Sequence, residues 1–88
     1  MPQTRSSVLA ARAEDGRRLG ERLAAARGQA GLSQLAAARA LGIPQSVIAK
    51  LELGKRQLLF LEALRLAGLY GVDCRELGPK GSENDGRL

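Results

Sequence analysis

The 88-residue sequence is rich in alanine and leucine, has only Phe60 and Tyr70 as aromatic residues, and carries a net charge of +5. A chain of this length forms one small domain, and its core must be aliphatic. It has no histidine and a single cysteine, which excludes an internal disulfide, a Cys/His metal cluster and histidine-based acid–base catalysis. No apolar run approaches the roughly 18 residues of a membrane span. Without a signal-peptide pattern, a cytoplasmic protein is expected.

The positive charge is confined to the middle of the chain. Residues 1–15 and residues 78–88 each carry balanced charges, so the whole excess lies in residues 16–77. We therefore predict a flexible N-terminal arm over 1–15, one folded domain over 16–77 and a disordered tail over 78–88. A compact basic domain is typical of proteins that bind a polyanion, although the same charge also serves solubility.

Helix 1 is predicted from Asp15 to Gln29. Leu19, Leu23 and Ala26 recur at spacings of four and three, which places them on one buried face. Gly16 has a low helix propensity and is expected to weaken the continuity of a helix that begins earlier in the arm. No alternating pattern of a β-strand is found anywhere in the chain.

Helices 2 and 3 are predicted on either side of a tight turn. Helix 2 covers Gln34–Leu41, with Ser33 as its N-cap and Gly42 at its end. Pro44 is expected at the first position of helix 3, where its missing N–H is tolerated, and Gly54 ends that helix. The apolar face of helix 3 consists of Val47, Ile48 and Leu51.

A helix, a glycine turn and a second helix with a small polar face form the pattern of a helix-turn-helix motif, whose second helix enters the DNA major groove. The polar face consists of Gln45, Ser46, Ala49 and Lys50. An ordinary αα-hairpin has the same spacing, so both interpretations remain open on spacing alone.

Two further helices complete the predicted domain. Helix 4 runs from Leu59 to Tyr70, and a short helix 5 over Cys74–Leu77 is capped by Asp73. The apolar face predicted for helix 4 consists of Phe60, Ala63, Leu64 and Ala67, with Leu66 at its edge.

Several short motifs occur in a characteristic order between Leu19 and Leu77. They are Leu19-Gly20-Glu21-Arg22-Leu23, Gly31-Leu32-Ser33-Gln34, Leu41-Gly42-Ile43, Gln45-Ser46, Lys50-Leu51-Glu52 and Gly54-Lys55-Arg56. In this order and spacing the sequence resembles the XRE family, the Cro/repressor-type helix-turn-helix regulators. The resemblance implies an all-α, five-helix, lambda-repressor-like DNA-binding domain that needs no cofactor and no metal.

The resemblance also implies roles for individual residues. Base edges would be read by Gln45, Ser46, Ala49 and Lys50, and DNA phosphates would be contacted by Ser33, Gln34, Lys55 and Arg56. Arg27 and Glu52 resemble a semi-buried ion pair that joins helix 1 to the end of helix 3. The expected surface for homodimerisation consists of Leu66, Leu69, Tyr70, Val72 and Leu77.

The sequence thus predicts a small transcriptional repressor that binds a palindromic operator on double-stranded DNA as a homodimer. Two alternatives share the fold. One is the antitoxin of a toxin–antitoxin pair, which would also bind a toxin. The other is a protein-interaction module built on the same scaffold. An enzyme is not expected, because the chain has no histidine, no metal-ligand cluster and no glycine-rich phosphate loop.

Overall fold

Four α-helices and one 3₁₀ turn form the part of the chain that the computed structural model describes, which is residues 5–77 for the backbone and 13–77 for the side chains. The α-helices are α1 (Arg5–Gln29), α2 (Gln34–Leu41), α3 (Gln45–Glu52) and α4 (Phe60–Tyr70). Residues 5–77 contain no strand, which agrees with the all-α prediction. The predicted fifth helix is a single 3₁₀ turn over Cys74–Leu77. The predicted tail, 78–88, and residues 1–4 of the predicted arm lie outside the described residues.

The first helix begins at Arg5, ten residues before the predicted start at Asp15. The helix continues through Gly16, so the predicted start at Asp15 was wrong. Most residues of the 5–15 segment are good helix formers, and one glycine lowers helix stability by only about 1 kcal/mol. Gly16 also lies against the loop after α3, where an added Cβ would be 3.3 Å from the carbonyl oxygen of Gly54. Close packing against that loop accounts for a glycine inside this helix.

The turn between α2 and α3 is fixed by local chemistry. The Ser33 hydroxyl accepts a hydrogen bond from the Ala36 N–H at 3.0 Å and caps α2, as predicted. Gly42 has φ +69° at the end of α2, a conformation that favours glycine. Pro44 was expected at the first helical position but is the N-cap, with an extended ψ of 144°. Its carbonyl accepts the Val47 N–H at 3.1 Å, which begins the first turn of α3.

One aliphatic core holds the helices together, and it contains alanines that allow close approach. Leu23 and Ile48 are the largest fully buried side chains. Ala37 and Ala38 are also buried, so α2 lies close to its neighbours. The buried core consists of Leu23, Ala26, Ala37, Ala38, Ile48, Leu51, Leu66, Ala67, Tyr70 and Leu77. Its members come from all four α-helices and the 3₁₀ turn, so the described residues share a single core.

The predicted apolar face of α4 is only partly correct. Ala67 is buried, but Phe60 is 73% exposed and Leu64 is 41% exposed. The buried side of the helix is instead formed by Leu66, Ala67 and Tyr70. Because six of the eleven residues of α4 are large and apolar, helical spacing alone does not decide which side meets the core.

Candidate nucleic-acid interface

The two faces of α3 differ sharply in exposure. Ile48 and Leu51 are 1% and 3% exposed and anchor the helix in the core. Positions 45, 46, 49 and 50 share the opposite face, because residues one turn apart lie above one another. On that face Gln45, Ser46 and Lys50 are exposed and Ala49 is half-buried. The predicted base-reading residues therefore lie together on one open face.

The ends of α3 and α1 are joined by the side chains of Arg27 and Glu52. The Arg27 Nε donates to Glu52 Oε2 at 2.6 Å, and a second guanidinium nitrogen donates to Glu52 Oε1 at 3.0 Å. The Arg27 side chain is 19% exposed and that of Glu52 is 8% exposed. Arg27 also donates to the Leu32 carbonyl at 2.8 Å. The hydrogen bonds to Glu52 raise the pKa of Arg27 above its ordinary value.

Gln34 extends this ion pair towards the exposed face of α3. Its side-chain amide nitrogen donates to Glu52 Oε1 at 2.9 Å. Its side-chain oxygen accepts from the Gln45 amide at the longer distance of 3.5 Å. A continuous hydrogen-bonded chain thus runs from Arg27 through Glu52 and Gln34 to Gln45. The link between Gln34 and Glu52 was not predicted, because it joins residues 18 apart whose proximity depends on the angle between two helices.

The two basic residues after α3, Lys55 and Arg56, lie in different environments. Lys55 is exposed, whereas Arg56 is half-buried and binds both carboxylate oxygens of Glu62, at 2.7 and 2.8 Å. Arg56 also donates to the Gln57 carbonyl at 3.3 Å. The hydrogen bonds from Arg56 lower the pKa of Glu62, and those to Glu62 raise the pKa of Arg56. Arg56 therefore tethers the loop to α4, which was not predicted.

The residues of the predicted dimer surface are buried or partly buried in the single chain. Leu66, Tyr70 and Leu77 are 2%, 6% and 2% exposed and belong to the core of the single chain. Burial raises the pKa of the Tyr70 hydroxyl. Leu69 and Val72 are partly buried and pack against the same core. The sequence pattern marked these residues as apolar, but it did not distinguish a core position from an interface position.

The described residues contain no group of three or more His, Cys, Asp or Glu side chains that could hold a metal ion. None of the helices in the described part is both long enough and apolar enough to cross a membrane.

Comparisons with known proteins agree on the class of this domain. The helix-turn-helix family HTH_3 matches residues 23–77. The restriction-modification controller protein C.AhdI from Aeromonas hydrophila is 32% identical, with a TM-score of 0.69 over 74% of this chain and 94% of that chain. The DNA-binding domain of BldD is also 32% identical, with a TM-score of 0.69 over 76% of this chain and 97% of that one. No curated protein sequence matches the chain.

The fold, with α2 and α3 joined by a tight turn, defines a helix-turn-helix DNA-binding domain. The chain belongs to the XRE-type helix-turn-helix family of DNA-binding transcription regulators, which confirms the resemblance. Family and fold are those of regulators that bind DNA, not those of enzymes.

Proposed function

We propose that the protein is a cytoplasmic transcriptional repressor that binds a palindromic operator as a homodimer, with α3 of each copy in the major groove. The observation that carries this proposal is the open polar face of α3 on a helix whose other face is anchored by Ile48 and Leu51. A rigidly held helix with short polar side chains is what reading base edges requires. The related controller protein C.AhdI supports a regulatory role.

The proposed base contacts follow from the chemistry of the exposed face. Gln45 can donate to N7 and accept from N6 of an adenine, and Lys50 can donate to a guanine. Ser46 can bond to either purine, and the methyl group of Ala49 can contact a thymine methyl. These contacts would set the operator preference.

The proposed phosphate contacts use donors that internal bonds leave available. The Ser33 oxygen accepts from the Ala36 N–H, which leaves its own O–H free to donate. Gln34 uses one amide N–H for Glu52 and retains a second. Lys55 is exposed. The bonds from Arg56 to Glu62 and Gln57 occupy three of its five N–H donors. Contacts of this kind position the domain without reading sequence.

A gel shift against the DNA upstream of the protein's own gene tests the proposal. Wild type, Gln45→Ala and the control Gln29→Ala are compared at two salt concentrations; Gln29 is an exposed glutamine at the end of α1. We expect wild type and the control to bind one site specifically, with affinity that falls as salt rises. Gln45→Ala should lose about 1–3 kcal/mol of discrimination at one base pair of each half-site.

The same experiment separates the alternatives. Binding to neither the upstream DNA nor random duplex at low salt would refute the proposal and favour a protein-interaction module. Specific DNA binding together with co-purification of a neighbouring gene's product would identify an antitoxin in place of a stand-alone repressor.

A further inference from the structure

Leu53 is a large apolar side chain at the end of the exposed face of α3. It is 62% exposed and forms the C-cap of the helix. Ser46, Ala49 and Leu53 are spaced by three and four residues, so their side chains lie above one another on the same side of the helix. Leu53 therefore extends the exposed face by one turn, and it does so with a side chain that forms no hydrogen bonds.

The backbone at Leu53 is fixed by the way in which α3 ends. The Leu53 N–H donates to the Ala49 carbonyl at 3.0 Å, and its φ of −84° and ψ of −5° lie in the right-handed helical region. Gly54 then turns the chain with φ +74°. Its N–H and that of the next residue donate to the carbonyls of Leu51 and Lys50, at 3.1 and 2.9 Å, and form a Schellman motif. The direction of the Cα–Cβ bond of Leu53 is therefore set before any partner binds.

The charges around Leu53 indicate a polyanionic partner. Residues 42–58 contain three bases and one acid. The acid, Glu52, is held in an ion pair inside the chain, whereas Lys50 and Lys55 are exposed. Burial of Leu53 against an apolar protein surface would remove water from the neighbouring ammonium groups without replacing it. Contact with DNA supplies phosphates for the lysines, so DNA fits this surface better.

The apolar substituent that DNA presents in its major groove is the 5-methyl group of thymine. The other groups that distinguish the base edges are hydrogen-bond donors and acceptors. Leu53 would remove water from those groups without replacing their hydrogen bonds, which costs free energy. Against a methyl group, the same side chain buries apolar surface on both sides. The side chain of Leu53 therefore favours a DNA site with thymine at the position that it faces.

We propose that Leu53 is a specificity-determining residue that contacts the methyl group of a thymine in each half-site of the operator. This inference rests on the proposed function, because it needs α3 in the major groove. It divides the exposed face of α3 along its length. Gln45 and Ser46, in the first turn, read hydrogen-bonding groups, and Ala49 and Leu53, further along, read methyl groups.

Replacement of thymine by deoxyuridine tests the inference, because uracil pairs like thymine and lacks only the methyl group. The probe is the upstream duplex that wild type binds, with each thymine of a half-site replaced in turn. Fluorescence anisotropy measures the dissociation constants of wild type and Leu53→Ala. At one thymine we expect the replacement to weaken the binding of wild type about fourfold, the effect of burying one such group. The same replacement should leave the binding of Leu53→Ala unchanged.

The matched control is Leu35→Ala. Leu35 is also an exposed leucine, at 43%, but it lies on α2. This variant should therefore show the same loss as wild type at that thymine. Because each protein is compared on two duplexes, any effect of a substitution on folding cancels in the ratio of the two dissociation constants. The ratio thus reports contact with the methyl group and not the stability of the variant.

Three results would overturn the inference. They are wild-type binding that no deoxyuridine replacement weakens; losses that Leu53→Ala shows equally at every sensitive thymine; and a loss that Leu35→Ala also abolishes. Weaker binding of Leu53→Ala to all duplexes, without dependence on the methyl groups, would also overturn it and place Leu53 against the sugar–phosphate backbone. Wild type that binds neither this duplex nor random duplex at low salt would refute the proposed function itself, whereas DNA binding that is indifferent to the methyl groups would refute this inference alone.

Discussion

Gly20 on α1 meets the backbone of Glu52 on α3 without room for a side chain. A Cβ at Gly20 would lie 2.3 Å from the Glu52 carbonyl oxygen and 2.8 Å from that of Leu51. Gly54, just after α3, is equally close to the backbone of α1. A Cβ added at Gly54 would lie 2.8 Å from the Arg17 amide nitrogen. The position of α3 relative to α1 is therefore set by direct contact between the two backbones.

Replacement of Gly20 by alanine should destabilise the protein strongly. Because the clashing atoms belong to the backbone, the two helices must move apart, and we expect a loss of about 3 kcal/mol or more in the free energy of unfolding. Urea denaturation of wild type and variant measures this loss in the free energy of unfolding. The control is Gly68→Ala in α4, where an added Cβ meets nothing within 4 Å. That change should stabilise by about 0.5–1 kcal/mol. Equal effects of the two substitutions would contradict the close contact.

The ion pair between Arg27 and Glu52 should contribute more than a surface pair. Its side chains are 19% and 8% exposed, so removal of one partner strands the other charge. We expect Arg27→Met to lower the free energy of unfolding by about 2–3 kcal/mol, between the values for exposed and fully buried pairs.

A double-mutant cycle with Glu52→Leu should show coupling of at least about 1 kcal/mol, with the double variant more stable than the sum of the single effects predicts. Glu21→Gln is the control, because Glu21 pairs with Arg17 at 3.2 Å and both side chains are more than half exposed. Its effect should stay below about 1 kcal/mol. Additive effects of the two substitutions at the buried pair would show that the charges act independently.

Lys55 and Gln45 should affect DNA binding in different ways. Lys55→Ala removes an exposed charge next to α3, so affinity should fall uniformly across sequences and the salt slope should decrease by about one. Gln45→Ala should leave the salt slope unchanged and relax the preference at one base pair. Fluorescence anisotropy with an operator duplex and a scrambled duplex at several salt concentrations measures both effects. A Lys55 variant with altered sequence preference would argue against a phosphate contact.

The hydrogen bonds of the Asp73 carboxylate should make the stability of the protein depend on pH in the acid range. Its carboxylate accepts from the Arg75 side chain and from the Arg75 N–H, which lowers the pKa of Asp73 from 3.8 to about 2. A depressed folded-state pKa stabilises the protein fully above the unfolded-state value and less as the pH falls through the folded-state value. The contribution should therefore disappear between pH 3.8 and about 2.

Thermal melts of wild type and Asp73→Asn over this range measure that contribution. Asparagine keeps the short polar side chain but not the charge, so the variant should melt lower at neutral pH. The difference in melting temperature should shrink steadily as the pH approaches 2. A difference that stays constant down to that pH would assign the effect to something other than ionisation of Asp73.

Local features of the sequence predicted both ends of α2 correctly. Ser33 and Gly42 bound α2 because capping and a positive φ are decided by residues close in sequence. Leu23 and Ala26 are buried as expected, since helical spacing identifies a face. Gly16 lies inside α1 despite its low helix propensity, because propensity is a weak preference that packing overrides.

Two contacts between distant residues could be found only from the three-dimensional arrangement. The bonds from Gln34 to Glu52 and from Arg56 to Glu62 depend on helix angles and loop paths that spacing does not encode. Phe60 was predicted to be buried because it lies on an apolar helix, yet the core lies on the other side. The roles of the exposed residues on α3 depend on the bound DNA and stay predictions.

The close backbone contact between α1 and α3 has a consequence for how such a protein can change its target. The residues that hold α3 in place, such as Gly20 and Ile48, are different from those on its open face. Gln45, Ser46 and Lys50 are all exposed, so each can be exchanged with little effect on folding. Under the proposed function, operator preference can therefore diverge one residue at a time on an unchanged scaffold, which makes the domain a suitable starting point for selecting DNA-binding proteins with new specificities.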